Sequence, residues 1–479
     1  MRGGNPVISP RVRYDRFTNR WFITAMTIEN NNNNNKVLLA MSNTGAITPD
    51  TVWSFFSFIP GNFVAFPTLG VDINALYVGG SFFSSSTGID IPSKLVVINK
   101  AKLIQGILYM TKFSNIDEVE CAQGADNYDS NATLGYMIGM SEFDFSHLNL
   151  RTISNPGSSN PSNPPKISNF ISIPITTVIQ PILINHKGNN SQATGKLNFF
   201  DNRLMNAVIR NNRLWTVQTI GLNNTGTSTG TITRNGLRWY RIDLTNFNTI
   251  VQRPLYSTLF TRSSSNDFNQ LNYFTSSINI SGQGHLLFGC STAGTNAYIN
   301  ALAAEKLLSD PVNTFRLMPY TVSTTAYNPN VMSVTGRPWG SYSYSSVDPC
   351  DDMTMWTIQE YCNKANVAGL RIVKILAPFP AQPISMSPTT IPAGNNNVLI
   401  TITGQQIDGS GFFDSGPGFN CRLRATVTGG VVVKNVVYNN PRIIDLVLDT
   451  TGVVPGSYNL TVINPDGQSR VGVGLIRVV

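Results

Sequence analysis

The stretch "MNAVIRNNRLWTVQTIG", residues 205–221, consists of two apolar segments joined by a pair of asparagines. Apolar and aromatic residues on both sides of Asn211-Asn212 favour strands, and asparagine tolerates the left-handed backbone of a tight hairpin turn. Comparable units lie at 11–26, 68–82, 124–141, 276–291 and 339–362. Their turns are roughly 67 residues apart on average, so one hairpin unit is repeated six times along the chain.

Two further strands follow most of these hairpins, as in "GLRWYRIDL" and "IVQRPLYS" after residue 235. Four antiparallel strands repeated in this way are typical of a β-propeller, which protects its sheet edges by closing into a ring. We therefore predict a six-bladed β-propeller over 1–378, with seven blades as the alternative and an array of β-sandwiches as the main rival. The sixth repeat shows three clear strands, so we expect "NPVIS", 5–9, to supply the fourth.

The composition agrees with an all-β protein. Charged residues make up 13% of the 479 residues, glycine and proline are frequent, and the nearest candidate for a helix, 296–310, is short. The net charge of +8 comes from scattered lysines and arginines without a basic run, so we expect no nucleic-acid partner. No apolar segment reaches the roughly 18 residues of a membrane span, and the start of the chain lacks the apolar segment of a signal peptide.

After the proline-rich linker "APFPAQP", 377–383, the pattern changes to about seven short strands, as in an immunoglobulin-like sandwich. The segments "SPTTIPAGNNNVLITITG", 387–404, and "VVPGSYNLTVINPDGQS", 453–469, resemble an IPT/TIG domain. The resemblance implies an Ig-like module over 379–479 that serves display, adhesion or assembly and carries no catalytic residue. The insertion "DGSGFFDSGPGFN", 408–420, departs from that pattern and leaves the local strand order open.

The N-terminal part also resembles a known group. The segments 202–221 with 236–244, and 339–361, resemble parts of predicted secreted bacterial β-propeller proteins without an assigned activity. This resemblance implies the propeller fold and an extracellular or cell-surface location, with a virion as the alternative.

Cysteine and histidine are few and dispersed. The five cysteines do not form a disulfide framework, and Cys350 and Cys362 do not lie opposite each other in their hairpin, so we expect separate thiols. The three histidines have no metal-ligand spacing, and no P-loop, dinucleotide fingerprint or nucleophile elbow occurs. We expect no metal and no cofactor.

The sixth hairpin contains the acidic residues Asp348, Asp351 and Asp352 beside Pro349. Aspartate and proline are common in tight turns, where the carboxylate accepts hydrogen bonds from its own backbone. Bound Ca²⁺ is the alternative, but the alternating acidic pattern of a calcium loop is absent. We predict a structural turn at the bottom face of the propeller.

The opposite, top face is where the first strand of each blade begins and where ligands of propellers usually bind. The sequence places Arg11, Asp201, Asp267 and a ligand-binding set there; the set is Arg203, Arg262, Arg337, Trp339, Glu360 and Tyr361. Converging arginines can bind a carboxylate, and a glutamate with a raised pKa can act as an acid.

Three functions follow from these features. The first is a non-catalytic surface or structural protein that binds a glycan or a surface protein through the propeller and is displayed or assembled through the Ig-like domain. The second is a sialidase-like propeller hydrolase acting on acidic glycans through the top-face arginines, although the Asp-box motif is absent. The third is a structural subunit of a virion or surface layer that self-assembles through the Ig-like domain.

Overall fold

The computed structural model describes residues 5–28, 35–61, 63–83, 90–116, 119–141, 144–190, 195–198, 201–250, 271–312, 314–330, 336–340 and 342–479. The chain starts with a four-stranded antiparallel meander of β1 (Val7–Asp15), β2 (Arg20–Thr27), β3 (Val37–Ser42) and β4 (Trp53–Phe58). Alternate residues of β1 and β3 are buried, which is the period-two pattern expected of strands with one face in a core.

The second sheet is made of β6 (Gly70–Val71), β7 (Ala75–Val78), β10 (Ser93–Asn99) and β11 (Met110–Ile116). A small sheet of β5 (Phe63–Ala65), β8 (Ser81–Phe83) and β9 (Asp90–Ile91) branches from it. Between β10 and β11 lies α1 (Lys100–Ile104), a single turn of helix that begins where Asn99 accepts a hydrogen bond from the Lys102 amide.

The third sheet contains β12 (Glu120–Gly124), β14 (Leu134–Met140), β15 (His147–Ser154), β16 (Lys166–Ile167) and β17 (Ile171–Pro174). The fourth contains β19 (Ala207–Arg210), β20 (Arg213–Leu222), β21 (Arg234–Asp243) and β22 (Thr249–Ile250). The short β13 (Asp126–Asn127) leaves the third repeat and pairs in parallel with β19, so these two sheets are joined by backbone hydrogen bonds.

The fifth sheet is a meander of β23 (Asn272–Ile280), β24 (Leu286–Gly294), β25 (Ala297–Lys306) and β26 (Arg316–Pro319). The helix candidate at 296–310 is therefore a strand, because pairing with both β24 and β26 satisfies its backbone and overrides its helical composition. A two-stranded parallel pair is formed by β18 (Leu197–Asn198) and β27 (Arg337–Pro338). The sixth sheet has three strands, β28 (Tyr344–Val347), β29 (Met355–Lys364) and β30 (Val367–Ile375).

The expected fourth strand from "NPVIS" is not found in the sixth sheet. Val7 and Ile8 pair with Thr27 and Met26 of β2, where they continue the first hairpin. The first and sixth sheets meet instead through side chains, since the guanidinium of Arg13 lies 4.3 Å from the ring centroid of Tyr344.

The C-terminal strands form two sheets around a separate core. One sheet contains β31 (Gln382–Ser387), β32 (Val398–Gln405), β34 (Val432–Asn440) and β35 (Ile443–Asp449). The other contains β33 (Arg424–Val427), β36 (Gly456–Ile463) and β37 (Ser469–Val478). Their core includes Ile402, Leu446 and Leu460, all fully buried. The sixth sheet ends at Ile375 and this unit begins at Gln382, on either side of the boundary that the sequence predicts.

The insertion 408–420 runs back to the turn of the sixth hairpin. Cys421, directly after it, forms a disulfide with Cys350, and the Cys421 amide donates to the Cys350 carbonyl oxygen. The expectation that Cys350 is a free thiol is wrong, because its partner lies 71 residues away and reaches it only through the docked insertion. Cys362 is a free, buried thiol.

The acidic residues of the sixth hairpin form the predicted turn. Asp348 accepts hydrogen bonds from the Cys350 amide and the Trp356 indole, and Asp351 accepts from the amides of Met353 and Thr354. Asp352 has a left-handed backbone (φ 55°) and pairs with Arg210 of the fourth sheet. In addition to closing the hairpin, the turn therefore anchors the sixth sheet to the fourth.

The described part of the chain is nearly all β, with α1 as its one short helix, and none of its helical residues form a segment of the length and apolarity that a bilayer crossing requires.

Candidate functional site

The first strands of several sheets share an irregularity near their start. A residue with a left-handed backbone lies there in each: Ser9 (φ 56°), Phe66 (φ 51°), Cys121 (φ 50°), Thr275 (φ 51°) and Gly340 (φ 35°). In β1, β12 and β23 the strand register shifts at this residue, which marks a β-bulge. A non-glycine residue in this conformation costs roughly 1–3 kcal/mol, and such strain is concentrated at functional sites in proteins.

Arg11 lies directly after the bulge of β1. Its side chain is buried, its Nε donates to the Pro67 carbonyl oxygen at 3.0 Å, and its guanidinium lies 4.1 Å from the ring centroid of Tyr342. Within the described residues no carboxylate pairs with Arg11. The Tyr342 hydroxyl makes no hydrogen bond of ordinary geometry there, and burial raises its pKa, an effect that Arg11 and Ser9 partly offset.

Arg203 reaches the same place from the segment before β19. Arg203 forms a bidentate ion pair with Asp201, and its guanidinium lies 4.3 Å from the Phe66 ring centroid. Its Nη1 lies 3.4 Å from Ser81 Oγ and 3.9 Å from Cys121 Sγ. The rings of Phe66 and Tyr342 are 6.2 Å apart, so the two arginines and two aromatic residues form one group. We call Ser9, Arg11, Phe66, Cys121, Asp201, Arg203 and Tyr342 the upper cluster.

The upper cluster carries unbalanced positive charge. The pKa of Arg11 is lowered to about 10, chiefly by burial and also by the neighbouring Arg13 and Arg203, whereas Tyr342 and Cys121 act in the opposite direction. The carboxylate of Asp201 compensates Arg203 and leaves Arg11 without an anionic partner among the described residues. A negatively charged ligand would stabilise this arginine, and bulged strands with partly exposed aromatic rings give such a ligand a surface.

Glu360 lies beside Gly340, and Gly340 precedes Tyr342 by two residues in the sequence. Burial raises the pKa of its carboxyl group, and a hydrogen bond from the Gly340 amide partly offsets that rise. A Cβ atom on Gly340 would lie 2.8 Å from Glu360 Oε2, so only glycine leaves room for the carboxyl group here. Thr275 Oγ1 donates to the Gly340 carbonyl oxygen and ties the fifth sheet to this point. Glu360 is therefore a half-buried acid next to the upper cluster.

The structure does not bring the whole predicted set together. Arg203 and Glu360 lie at the upper cluster or beside it, and the Tyr361 hydroxyl points to Asn363 at 2.8 Å. Trp339 is 2% exposed and packs edge-on against Tyr327, with its indole donating to Ser291 Oγ. Arg262 and Asp267 lie outside the described residues.

Arg337 is used to hold loops together. Its guanidinium donates to the carbonyl oxygens of Gly195 and Pro329 and to the side-chain oxygens of three asparagines, Asn189, Asn190 and Asn328. All five acceptors belong to the protein itself. They lie in the region joined by the β18–β27 pair, outside the upper cluster. A ligand-binding role for Arg337, Trp339 and Tyr361 stays a prediction.

Sequence reasoning missed Phe66, Cys121 and Tyr342. The one available signal was the position of Tyr342 just before a first strand, which is the criterion that selected Arg203. Left-handed backbone at Phe66 and Cys121 has no signal in the sequence, since neither residue type favours that conformation.

No family model and no curated protein matches this sequence. Solved structures that the chain resembles include an ulvan lyase from a new family of polysaccharide lyases (TM-score 0.42, 11% identity, 83% of this chain and 91% of that one). Others are an endo-arabinase from Bacteroides thetaiotaomicron (0.33, 10%, 77% and 94%) and a mutant Trypanosoma rangeli sialidase with trans-sialidase activity (0.35, 11%, 98% and 83%). These likenesses assign no role and no residue to this chain.

These comparisons correct the first of our functional expectations. The resembling structures are named as an endo-arabinase, an ulvan lyase and a sialidase, and this finding contradicts the expectation of a non-catalytic display protein. That expectation followed from the missing Asp-box motif and from the lack of an assignable tyrosine–glutamate nucleophile pair in the sequence. What this chain does chemically has to be argued from its own side chains.

Proposed function

We propose that this protein is a glycan-cleaving enzyme whose substrate carries a carboxylate group, bound at the upper cluster. The observation that carries the proposal is Arg11, a buried arginine whose described neighbours include two further arginines and no carboxylate partner of its own. Burying a cation without a partner is unfavourable, and an anionic group of the substrate would supply that partner.

Arg203 would contribute the second contact to the substrate. Its planar guanidinium is already oriented by Asp201 and by the Phe66 ring, so little side-chain entropy would be lost when a carboxylate binds. Phe66 and Tyr342 are both partly exposed and would offer apolar faces to a sugar ring.

Glu360 is the candidate acid for the cleavage. Burial raises the pKa of its carboxyl group, which keeps it protonated to a higher pH than an exposed glutamate. A protonated carboxyl group can donate to the leaving glycosidic oxygen, as one of the two carboxyl groups of glycoside hydrolases does. Asp201, which is paired with Arg203, is the candidate for the second carboxylate role.

The finer architecture belongs to the same proposal. The six consecutive sheets would be six blades of one ring over 1–378, and the seven C-terminal strands an IPT/TIG-like domain over 379–479. The Cys350–Cys421 disulfide supports an extracellular or surface location, because such bonds persist mainly in oxidising compartments.

The test is a depolymerisation assay on acidic glycans (polygalacturonate, hyaluronan and sialyllactose) and on neutral xylan. We expect Glu360→Gln to lower kcat about 100-fold with KM nearly unchanged, and to abolish the fall in rate that the wild type shows as pH rises through the pKa of Glu360. Arg203→Met should act mainly on KM for the acidic substrate.

The matched control is Glu305→Gln. Glu305 is also half-buried with a pKa raised by burial, but it lies in the fifth sheet away from the upper cluster. If the wild type cleaves none of the acidic glycans, or if both glutamate variants lose the same activity, the proposal is wrong.

A further inference from the structure

A polar cavity lies at the opposite ends of the same strands. Arg11 follows the bulge near the start of β1, whereas Arg16 follows its end; likewise Arg203 precedes β19 and Arg210 ends it. The cavity, about 540 Å³ in volume, is lined on one side by these strand ends and on the other by the C-terminal insertion. We call it the lower groove; its main residues are Arg16, Tyr128, Asp129, Arg210, Asp352 and Phe419.

Charges in the lower groove are balanced. Arg210 donates from both terminal nitrogens to the two carboxylate oxygens of Asp352, each at 2.7 Å. Arg16 donates to the Tyr128 carbonyl oxygen, and Asp129 accepts the amides of Asn211 and Asn212. Two arginines and two aspartates leave no net charge among these residues. The groove therefore differs from the upper cluster and favours a neutral ligand.

Aromatic rings surround the centre of the groove. The Arg16 guanidinium lies 4.9 Å from the Phe419 ring centroid, 5.0 Å from that of Phe17 and 5.8 Å from that of Tyr128. Phe419 is partly exposed, so part of its side chain is accessible to a ligand. Apolar ring faces beside fixed polar groups are the pattern that suits a sugar ring, whose faces are apolar and whose edge is hydroxylated.

Hydrogen-bonding groups also line the groove. Asn131 and Asn211 are exposed at its edge, and Arg210 Nε is buried without a hydrogen-bond partner among the described residues. Amides and carboxylates together supply donors and acceptors, which matches the dual character of a hydroxyl group.

We propose that the lower groove is a second saccharide-binding site, for one or two units of a neutral oligosaccharide. It does not depend on the function proposed for the upper cluster. Ser415 and Phe419 come from the insertion that Cys421 anchors to Cys350, so the site is complete only when the C-terminal unit is docked on the strand ends. This gives the insertion, which departs from the IPT/TIG pattern, a role in binding.

The test is isothermal titration calorimetry on the full chain with three neutral probes, chitotetraose, cellotetraose and mannotetraose. We expect at least one probe to bind the wild type, and Phe419→Ala and Asn131→Ala each to weaken that binding about tenfold. Phe55→Ala removes a phenylalanine of β4 that is 59% exposed and does not line the groove, and it is the control variant. Arg203→Met should leave the affinity for the neutral probe unchanged.

Several results would overturn this assignment: no probe binding the wild type at millimolar concentration, unchanged affinity in both groove variants, or equal loss in Arg203→Met. The last would mean that the neutral probe occupies the upper cluster. Asn131→Ala changes an exposed side chain, so it keeps the test decisive if Phe419→Ala does not fold.

Discussion

The two ends of the first strands are built in opposite ways. At the upper end, left-handed residues such as Cys121 break the strand register, and Arg11 is buried without a described carboxylate partner. At the lower end, Arg210 is paired with Asp352, Asp129 satisfies two turn amides, and a disulfide fastens the insertion. Left-handed residues occur at both ends, but at the lower end they are turn asparagines and aspartates such as Asp352, which tolerate that conformation, whereas Phe66 and Cys121 at the upper end do not favour it. Unbalanced charge lies at the upper end, and the lower end provides paired charges that stabilise the fold.

Arg11 and Arg337 differ in a similar way in the partners of their side chains. Arg11 and Arg337 are each 7% exposed. Arg337 makes five hydrogen bonds to the protein, whereas the one recorded for Arg11 among the described residues is to Pro67. Burial alone therefore does not separate a structural arginine from one available to a ligand; the number and charge of its partners do.

The largest expected effect is at the lower end. Cys350→Ser should lower the free energy of unfolding by about 4 kcal/mol, because the disulfide closes a loop between residues 71 apart and restricts the unfolded chain. Denaturant titration without reductant measures this. The double variant with Cys421→Ser should show the same loss as the single variant, since both remove the same disulfide. A clearly larger loss in the double variant, or no loss in either, would contradict a stabilising role of the disulfide.

The next effect compares the two arginines. Arg337→Met should lower the free energy of unfolding by about 3 kcal/mol, since it leaves the buried Gly195 carbonyl oxygen and several partly buried oxygens without a donor. Arg11→Met should change it by less than about 1 kcal/mol or raise it, because the substitution removes a buried, poorly compensated charge. Equal losses in the two variants would show that Arg11 is a structural residue and would remove the contrast between them.

A smaller effect should appear as a pH dependence. His285, in the turn before β24, is buried; its Nδ1 accepts the Leu308 amide, and burial lowers its pKa to about 4. In the unfolded chain this histidine is protonated below about pH 6.5, whereas in the folded protein it stays neutral until the pH approaches 4. Its contribution to the free energy of unfolding is therefore fully present above about pH 6.5 and is lost as the pH falls toward 4.

Between pH 7.5 and 5 the loss from His285 should be about 2 kcal/mol. His285→Gln, which keeps an acceptor but does not titrate, should remove that part of the pH dependence. Thermal unfolding of both proteins at the two pH values measures the difference; identical slopes would mean that other groups account for it.

Much of the fold could be predicted from local pattern. The six hairpins, the asparagine turn at 211–212 and the acidic turn at 348–352 depend on residues close in sequence, and all are found. The strand at 297–306 and the pairing of Val7 with Thr27 were not predicted correctly, because in both cases the neighbouring strand decides the outcome.

The candidate site was predictable only in part. The rule that selected residues before first strands identified Arg11 and Arg203, but it also selected Arg337 and Trp339, which the fold uses internally. Glu360 was selected separately, at the end of the second strand of the sixth hairpin. An arginine before a strand can face the upper cluster or a neighbouring loop. Which of the two it faces depends on residues more than 100 positions away, such as Asn189 and Asn190 for Arg337.

The sequence by itself determined the all-β character, the hairpin repeat and the change of pattern near residue 380, because these follow from period-two hydrophobicity and turn chemistry over short distances. The tertiary structure alone decided three things: the left-handed bulges, the partner of Cys350, and the separation of a charged upper cluster from a balanced lower groove. Each of these results from contacts between distant segments, and a contact of that kind leaves no mark on either segment alone.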